Sequence, residues 1–400
     1  MKTKWPTKKL GDICVKITDG SHNPPKGVEV GFPMLSSRNI FNHGINFEGA
    51  RFLTEEDFAS ENKRTDVEPG DVLLTIVGTI GRVIVIPKGL PKFTLQRSVA
   101  VIKTGTEIDE YYLAQYLSSP DVQEYFMSQA RGGAQKGFYL KDIKDLDIPL
   151  PSLEEQKRIV KVLEEKLGKV KEAIEFRQDA IADTEKILSA KLSEIFADGK
   201  EKGWKEKSFS DKEVLKMTSG GTPSRANKNF YKGIILWLKS GELKDNRNII
   251  DSKEKISEDA VKRSSAKLFP PGSVLFAMYG ATAGKIGILG VEASTNQAVA
   301  ALIPVKEVLN NNFLYYFLMK KRIEIIEQAW GGAQPNLSQT ILKQFSIPLP
   351  DLKTQEKIVK GLDELSVQVA KLRTLQDEQL ADLKSLERAY LHEAFNGELA

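Results

Sequence analysis

The stretch GGAQ-x12-IPLP-x-L-x2-Q-x2-IVK-x-L occurs twice, from Gly132 to Leu163 and from Gly331 to Leu362, 199 residues apart in a chain of 400. Fifteen of the 32 aligned positions are identical, and the offset continues ungapped to Leu192, Glu194 and Phe196, which match Leu391, Glu393 and Phe395. A period this long excludes solenoids and propellers. It describes a duplicated unit of one domain plus one helix, and the length accommodates two such units.

The segment after each IPLP reads as a long helix. From Leu153 to Phe196 there is no proline and one glycine, Gly168. Leu153, Val160, Leu163, Leu167, Val170, Ile174, Ile181, Leu188 and Ile195 fall on a 3-4 spacing, interrupted by the polar Gln156, Arg177, Thr184 and Lys191. Leu352 to Phe395 repeats the pattern with Ile358, Leu362, Leu365, Val369, Leu372, Leu383, Leu386 and Tyr390. Sustained heptads with charged flanks are the coiled-coil signature. The proline bars helix for its predecessor, and Ser152 and Asp351 stand as N-caps, with Glu155 completing a capping box after Ser152. Asp198-Gly199 and Asn396-Gly397 mark the expected stops.

The intervening segments read as mixed α/β domains. DVLLTIVG (71–78) and SVLFAMYG (273–280) are strand-like, Pro69-Gly70 and Pro271-Gly272 are turns, and helices are expected at 111–129 and 312–328. Weak landmarks align Gly78 with Gly280, Gln96 with Gln297 and Leu113 with Leu314. The expected architecture is α+β: two α/β domains, 1–150 and 199–350, joined by two long antiparallel coiled-coil helices, 151–198 and 351–400. It has approximate two-fold symmetry, like a dumbbell, because a domain's entry and exit usually lie close together. Ile174 is expected at the level of Leu372.

Of the net charge of +4, residues 199–350 alone carry +9, with 23 basic and 14 acidic side chains, whereas 1–150 balance at 19 and 19. That excess points to a phosphate-bearing partner of the second domain. No apolar run reaches membrane-spanning length, so no membrane partner is expected, and the basic N-terminus lacks the apolar core of a signal peptide. The single cysteine, Cys14, excludes an internal disulfide and points to the cytoplasm. Three histidines, His22, His43 and His392, lie too far apart in sequence to suggest a metal site.

Catalytic motifs fail one by one. GATAGKIG (280–287) has three residues between its glycines where a phosphate loop has four, and Ile286 where the hydroxyl belongs, so it reads as a β-turn. Asn23-Pro24-Pro25 is followed by Lys26, not by the aromatic that would stack on a flipped adenine. Glu155-Gln156-Lys157 lies in a helix start without a strand aspartate. No catalytic site, cofactor or metal is assigned to the chain.

Taken together, the doubled junctions, the long helix after each, the divergent domains and the landmarks SGGTPS (219–224), PGD, PGS and TNQ (295–297) resemble the specificity subunit of type I restriction-modification enzymes. The resemblance covers the whole chain and is weaker in the first domain, which has DGSHNPP (19–25) in place of SGGTPS. It implies that each domain is a target recognition domain reading half of a bipartite double-stranded DNA sequence. The coiled coil then sets the spacer and docks two methyltransferase subunits, joined by restriction (endonuclease and translocase) subunits. S-adenosylmethionine, ATP and magnesium are implied for those partners. The alternatives are a DNA methyltransferase or nuclease with an unrecognised site, and a coiled-coil scaffold.

Loop residues able to meet base edges or phosphates are the candidate contacts. In the first domain they are Ser21, His22, Asn23, Ser37, Arg38, Asn39, Arg97 and Lys136. In the second they are Ser219, Gly220, Thr222, Lys239, Tyr279, Lys285, Asn296, Gln297 and Gln334, with Lys239 and Lys285 expected on phosphates. Gln135 and Gln334 recur in both copies of GGAQ and are equally readable as structural.

Overall fold

The structure, a computed structural model, describes residues 3–132, 136–328 and 337–399. Two compact units emerge, 1–179 with 377–400 and 180–376, so each long helix contributes a stretch to both.

In the first unit, strands Cys14–Asp19, Val99–Thr104, Val72–Thr75 and Val83–Val85 form an antiparallel sheet in that order. A second sheet orders Arg51–Leu53, Phe32–Leu35 and Thr94–Leu95, the last two parallel. The second unit repeats both. Leu215–Ser219, Val299–Pro304, Val274–Ala277 and Ile286–Leu289 correspond to the first sheet and gain Asn246–Ile249 at the edge. Glu254–Ile256, Ile235–Leu238 and Ala293–Thr295 correspond to the second and gain Leu268–Phe269. The IPLP repeats form short strands, Asp147–Pro149 on Thr7–Lys9 and Ser346–Leu349 on Lys205–Ser208.

A central helix, Leu153–Glu201, and a distal helix, Leu352–Asn396, come after those strands. Both caps form as expected: Glu155 N–H donates to Ser152 Oγ at 3.3 Å, and Thr354 N–H to Asp351 Oδ1 at 3.0 Å. The capping box is only half made, because the Glu155 carboxylate pairs with Arg158 at 2.8 and 2.9 Å instead of reaching back. The central helix also overruns its expected stop. Gly199 lies inside it, where a Cβ would come within 2.3 Å of the Trp204 ring, and the left-handed glycine is Gly203 (φ +72°). The distal helix ends as expected at Asn396, before Gly397 (φ +79°). The helix expected at 111–129 is two, Glu110–Ser118 and Pro120–Gln129, because Pro120 holds Ser119 extended. Its counterpart, Asn311–Glu327, has no such break.

Each unit contains an antiparallel helix pair packed on its domain. In the first, Ile159 and Leu163 of the central helix and Leu391 and Phe395 of the distal helix are buried in one core, with Phe395 edge-on to Tyr112 and Tyr116 at 5.5 and 5.1 Å. In the second, Leu192 and Phe196 share a core with Val359 and Leu362, and Phe196 packs on Phe313 and Phe317 at 5.4 and 5.1 Å. Thr184 lies across from Gln376, whose amide donates to it at 2.9 Å, and Glu185 pairs with Arg373. That register corrects the expected level of the helices: Ile174 and Leu372 fall in different units, and Thr184 and Gln376 share a level.

The polar exception at the start of each seam has a specific job. Gln156, fully buried, accepts from Asp109 N–H at 2.8 Å and donates to the carbonyls of Glu107 and Pro151, both at 2.9 Å. Gln355, equally buried, accepts from Asn310 N–H and donates to the carbonyls of Val308 and Pro350, all at 2.9 Å. A buried group left unpaired costs about 1–3 kcal/mol. Gln156→Leu orphans three, so it should lower unfolding stability by about 3 kcal/mol or more. Urea denaturation of the full chain checks this, and an unchanged midpoint would show the amide to be dispensable.

Candidate nucleic-acid interface

Three loops of the first domain converge: the one after Cys14–Asp19, the one after Phe32–Leu35, and the turn 96–98. The close approach is made at Gly20, where any Cβ would stand 2.0 Å from the Leu95 carbonyl oxygen. Ser21 N–H then donates to Leu95 at 2.8 Å, and Arg97 N–H returns to Ser21 at 2.9 Å. The second domain repeats the crossing at Gly220, 2.0 Å from the Thr295 oxygen, with Gly221 N–H donating to Thr295 at 2.9 Å. DGSHNPP and SGGTPS are therefore the same loop.

In the first domain the second and third of these loops enclose a cleft of about 630 Å³, lined by Ser37, Arg38, Asn39, Gln96 and Arg97 with Gly78 and Thr79. An adjoining cavity of about 590 Å³ holds His22, Asp19, Arg64 and, again, Arg97. Four of the candidate contacts thus share one wall. Their roles differ. Arg38 and Arg97 are exposed and, among the described residues, have no side-chain hydrogen bond or ion pair. Asn39 is buried and spends its amide inward: Oδ1 accepts from Ser36 N–H at 3.0 Å, and Nδ2 donates to the carbonyls of Asn46 and Glu48 at 2.9 and 3.2 Å. It shapes the loop and has nothing left for a base. Ser21 and Ser37 are buried backbone-bonded positions, Ser37 N–H donating to Ser98 Oγ at 3.0 Å. His22 meets Asp19 at 2.8 Å, a carboxylate that Arg64 also grips. Asn23 and Lys136 are exposed, and the Lys136 carbonyl accepts from Gly78 N–H at 3.3 Å.

Strand register carries this arrangement onto the second domain. Met34 pairs with Thr94 and Arg51, and Trp237 pairs with Ser294 and Glu254, so Met34 corresponds to Trp237 and Arg51 to Glu254. Asn296 and Gln297 then correspond to Gln96 and Arg97, which corrects the pairing of Gln96 with Gln297. The hydrogen bonds agree: Gln96 N–H donates to Leu35 at 2.8 Å, and Asn296 N–H to Leu238 at 2.9 Å. Glu242 plays the part of Asn39, its Oε1 accepting from Lys239 N–H at 3.0 Å. Lys239, Tyr279, Asn296 and Gln297 consequently belong to the equivalent wall. Thr222 hydrogen-bonds Gln297 across it, and burial raises the Tyr279 hydroxyl pKa. Ser219, half-buried, ends the strand before the loop. Gly220 is a backbone crossing and offers no side chain.

Lys239 and Lys285 are less available than the charge count suggests. Lys239 pairs with Glu254. Lys285 pairs at 2.8 Å with Asp245, which also takes Arg322, so it anchors a turn. Its counterpart Arg82 is similarly occupied, donating to the Ile40 carbonyl at 3.0 Å. Gln334 lies outside the described residues, as do Gln135 and the second GGAQ. Sequence reasoning missed Gln96, Arg51 and Thr79 in the first domain and Arg225, Tyr231, Trp237 and Glu254 in the second. Only the position of Arg225, directly after SGGTPS, offered a signal. Among the described residues no group of three or more His, Cys, Asp or Glu side chains could hold a metal ion, and no helix is long and apolar enough to cross a membrane.

A family described as the type I restriction modification DNA specificity domain matches residues 2–177 and again 201–379. The chain belongs to that family. The Escherichia coli EcoR124I/EcoR124II type I restriction enzyme specificity subunit is 31% identical over 159 residues, 38% of this chain and 39% of that protein, so this match spans about two fifths of the relative's length. The Methanocaldococcus jannaschii MjaVIII type I restriction enzyme specificity subunit is 24% identical over 407 residues, covering 95% of this chain and 90% of that one. A chain from a structure addressing complex assembly and conformational transition of the type I R-M system shares the fold, with a TM-score of 0.77 at 24% identity over 99% of this chain and 98% of that one.

The exposed guanidinium groups of the first cleft predict where salt sensitivity resides. Replacing Arg38 and Arg97 by glutamine should reduce the slope of log affinity against log salt by about two if both meet phosphate. Lys285→Met should lower thermal stability and leave that slope unchanged. Titrations of the full chain with duplex DNA at several salt concentrations distinguish the two, and a slope that tracks Lys285 would reverse the assignment.

Proposed function

We propose that each domain reads one half of a bipartite duplex sequence and that the helices set the spacing between the halves. The observation that carries this reading is the loop cluster built twice on one backbone plan with different side chains: Ser36, Gln96 and Arg97 against Lys239, Asn296 and Gln297. A repeated scaffold with unlike linings suits an asymmetric target, since base edges are distinguished by side-chain donors and acceptors. The chain is the non-catalytic recognition subunit in this reading, acting in the cytoplasm. Methyltransferase subunits dock on the helices, and restriction subunits join them. S-adenosylmethionine, ATP and magnesium belong to those partners. Support for docking comes from a groove of about 1,090 Å³ in the second unit, lined by Ile187, Ile195, Trp204, Ile358 and Leu365.

Exchanging residues 1–148 for another recognition domain should alter one half of the sequence methylated by the assembled enzyme. Adenine-methylation mapping in a host reads this out, and simultaneous change of both halves would sink the independent-reader idea.

Spacing is tested separately. Four residues inserted in both helices at the level of Thr184 and Gln376 lengthen the pair by ~6 Å, close to two base-pair steps. The spacer should shift by one or two base pairs with both half-sequences intact, and some affinity should be lost to the stutter's twist. A folded variant with the original spacer would show that the helices do not measure it.

A further inference from the structure

The position occupied by Arg51 in one domain and Glu254 in the other holds the recognition loop, but with inverted charge. In the first domain Arg51 Nη1 donates to the carbonyls of Pro25 and Pro24 at 2.6 and 3.4 Å. Pro25 is the fifth residue after the crossing glycine Gly20, and the fifth after Gly220 is Arg225. There Glu254 holds a loop side chain, standing 2.7 Å from Arg225 Nη1, while Lys239 takes its other oxygen.

The guanidinium of Arg225 is also stacked, 4.1 Å from the Tyr231 ring centre and 5.3 Å from that of Trp237. Those rings hold the loop backbone as well: Tyr231 Oη donates to the Pro223 carbonyl at 2.6 Å and the Trp237 indole N–H to the Gly221 carbonyl at 3.0 Å. Loop and arginine are thus fixed by the same two aromatics. The Arg225 side chain nevertheless remains 55% exposed. A guanidinium carries five donors in a rigid fork, and the carboxylate stands against one nitrogen.

We propose that Arg225 is a base-reading residue of the second domain, that it takes the edge of a guanine, and that Glu254 is its positioning residue. The assignment rests on the half-site reading above. Guanine presents two acceptors, O6 and N7, matched to the fork. A phosphate is the poorer match, because the Glu254 carboxylate would repel it at short range, whereas a neutral base edge is not repelled.

The test uses the full chain assembled with its methyltransferase subunit and a duplex library randomised across the target length, with bound sequences read by sequencing. The native assembly should enrich guanine at one position of one half-site. Arg225→Ala and Arg225→Lys should each lose roughly ten- to a hundredfold preference at that position, leaving the other half-site unchanged. Glu254→Gln should lose part of the same preference, and Glu254→Asp should restore most of it, a rescue that a purely structural role for the carboxylate would not confine to one base position. Arg225→Lys retaining the guanine would show that charge alone suffices, and Arg225→Ala retaining it would show no reading at all; either overturns the proposal. Uniform loss across all sequences by a normally melting Arg225→Lys would also overturn it. A native assembly that enriches nothing would remove the half-site reading, and this assignment with it.

Discussion

Two buried carboxamides, Gln156 and Gln355, join each long helix to the domain that precedes it, and the remaining contacts of the frame depend on that joint. Each amide satisfies one N–H and two carbonyls, from the N-cap segment of the domain's helix and from the proline that ends IPLP. An apolar residue would fit the seam but leave those backbone groups unpaired in a dry environment. The joint fixes the angle at which the helix leaves the domain, and the aromatic contacts of Phe395 and Phe196 then find the same surfaces in both units. Both ends of the joint are backbone or repeated residues, which is why the junctions recur while the domains between them differ.

Within the domains the same division holds on a finer scale. The loop crossing at Gly20 and Gly220 is a backbone contact that no side chain can enter, and its hydrogen bonds are made by N–H and carbonyl groups common to every residue. Such contacts tolerate few alternatives. The side chains that face outward from the crossing are free of that restriction. Met34 can become Trp237, and Arg51 can become Glu254 with its charge reversed, because each loop needs only to be held, by a guanidinium on its carbonyls in one domain and by a carboxylate on its arginine in the other.

Charge illustrates how tertiary contacts change a compositional signal. The second domain carries the basic excess, yet two of its candidate cations are tied up, Lys239 by Glu254 and Lys285 by Asp245. The neighbouring Arg225, with Lys239, holds the Glu254 carboxyl below the usual range, so the acid is ionised and its pairing persists at neutral pH. The first domain, neutral in sum, places in one cleft two arginines that have no ion pair among the described residues. A count of charges along the chain registers neither fact.

Duplication, the two helices, their caps and the strand-like runs were legible in the sequence because they rest on local or periodic rules: 3-4 spacing, proline geometry and capping side chains act within a few residues. The half-made capping box, the helix overrun past Gly199 and the break at Pro120 show where even local rules met competitors. Trp204 packing outweighed a glycine stop, and Arg158 outcompeted a backbone N–H for Glu155. Tertiary contacts alone settled which loop residues share a wall and which are spent inside it. Asn39 and Arg97 look alike as polar loop residues, but the first is consumed by carbonyls seven and nine residues away and the second stands exposed in the cleft. Arg225 and Glu254 meet across 29 positions of sequence through strand pairing. Periodicity cannot report such a meeting, because it is set by sheet register and by the crossing of two loops.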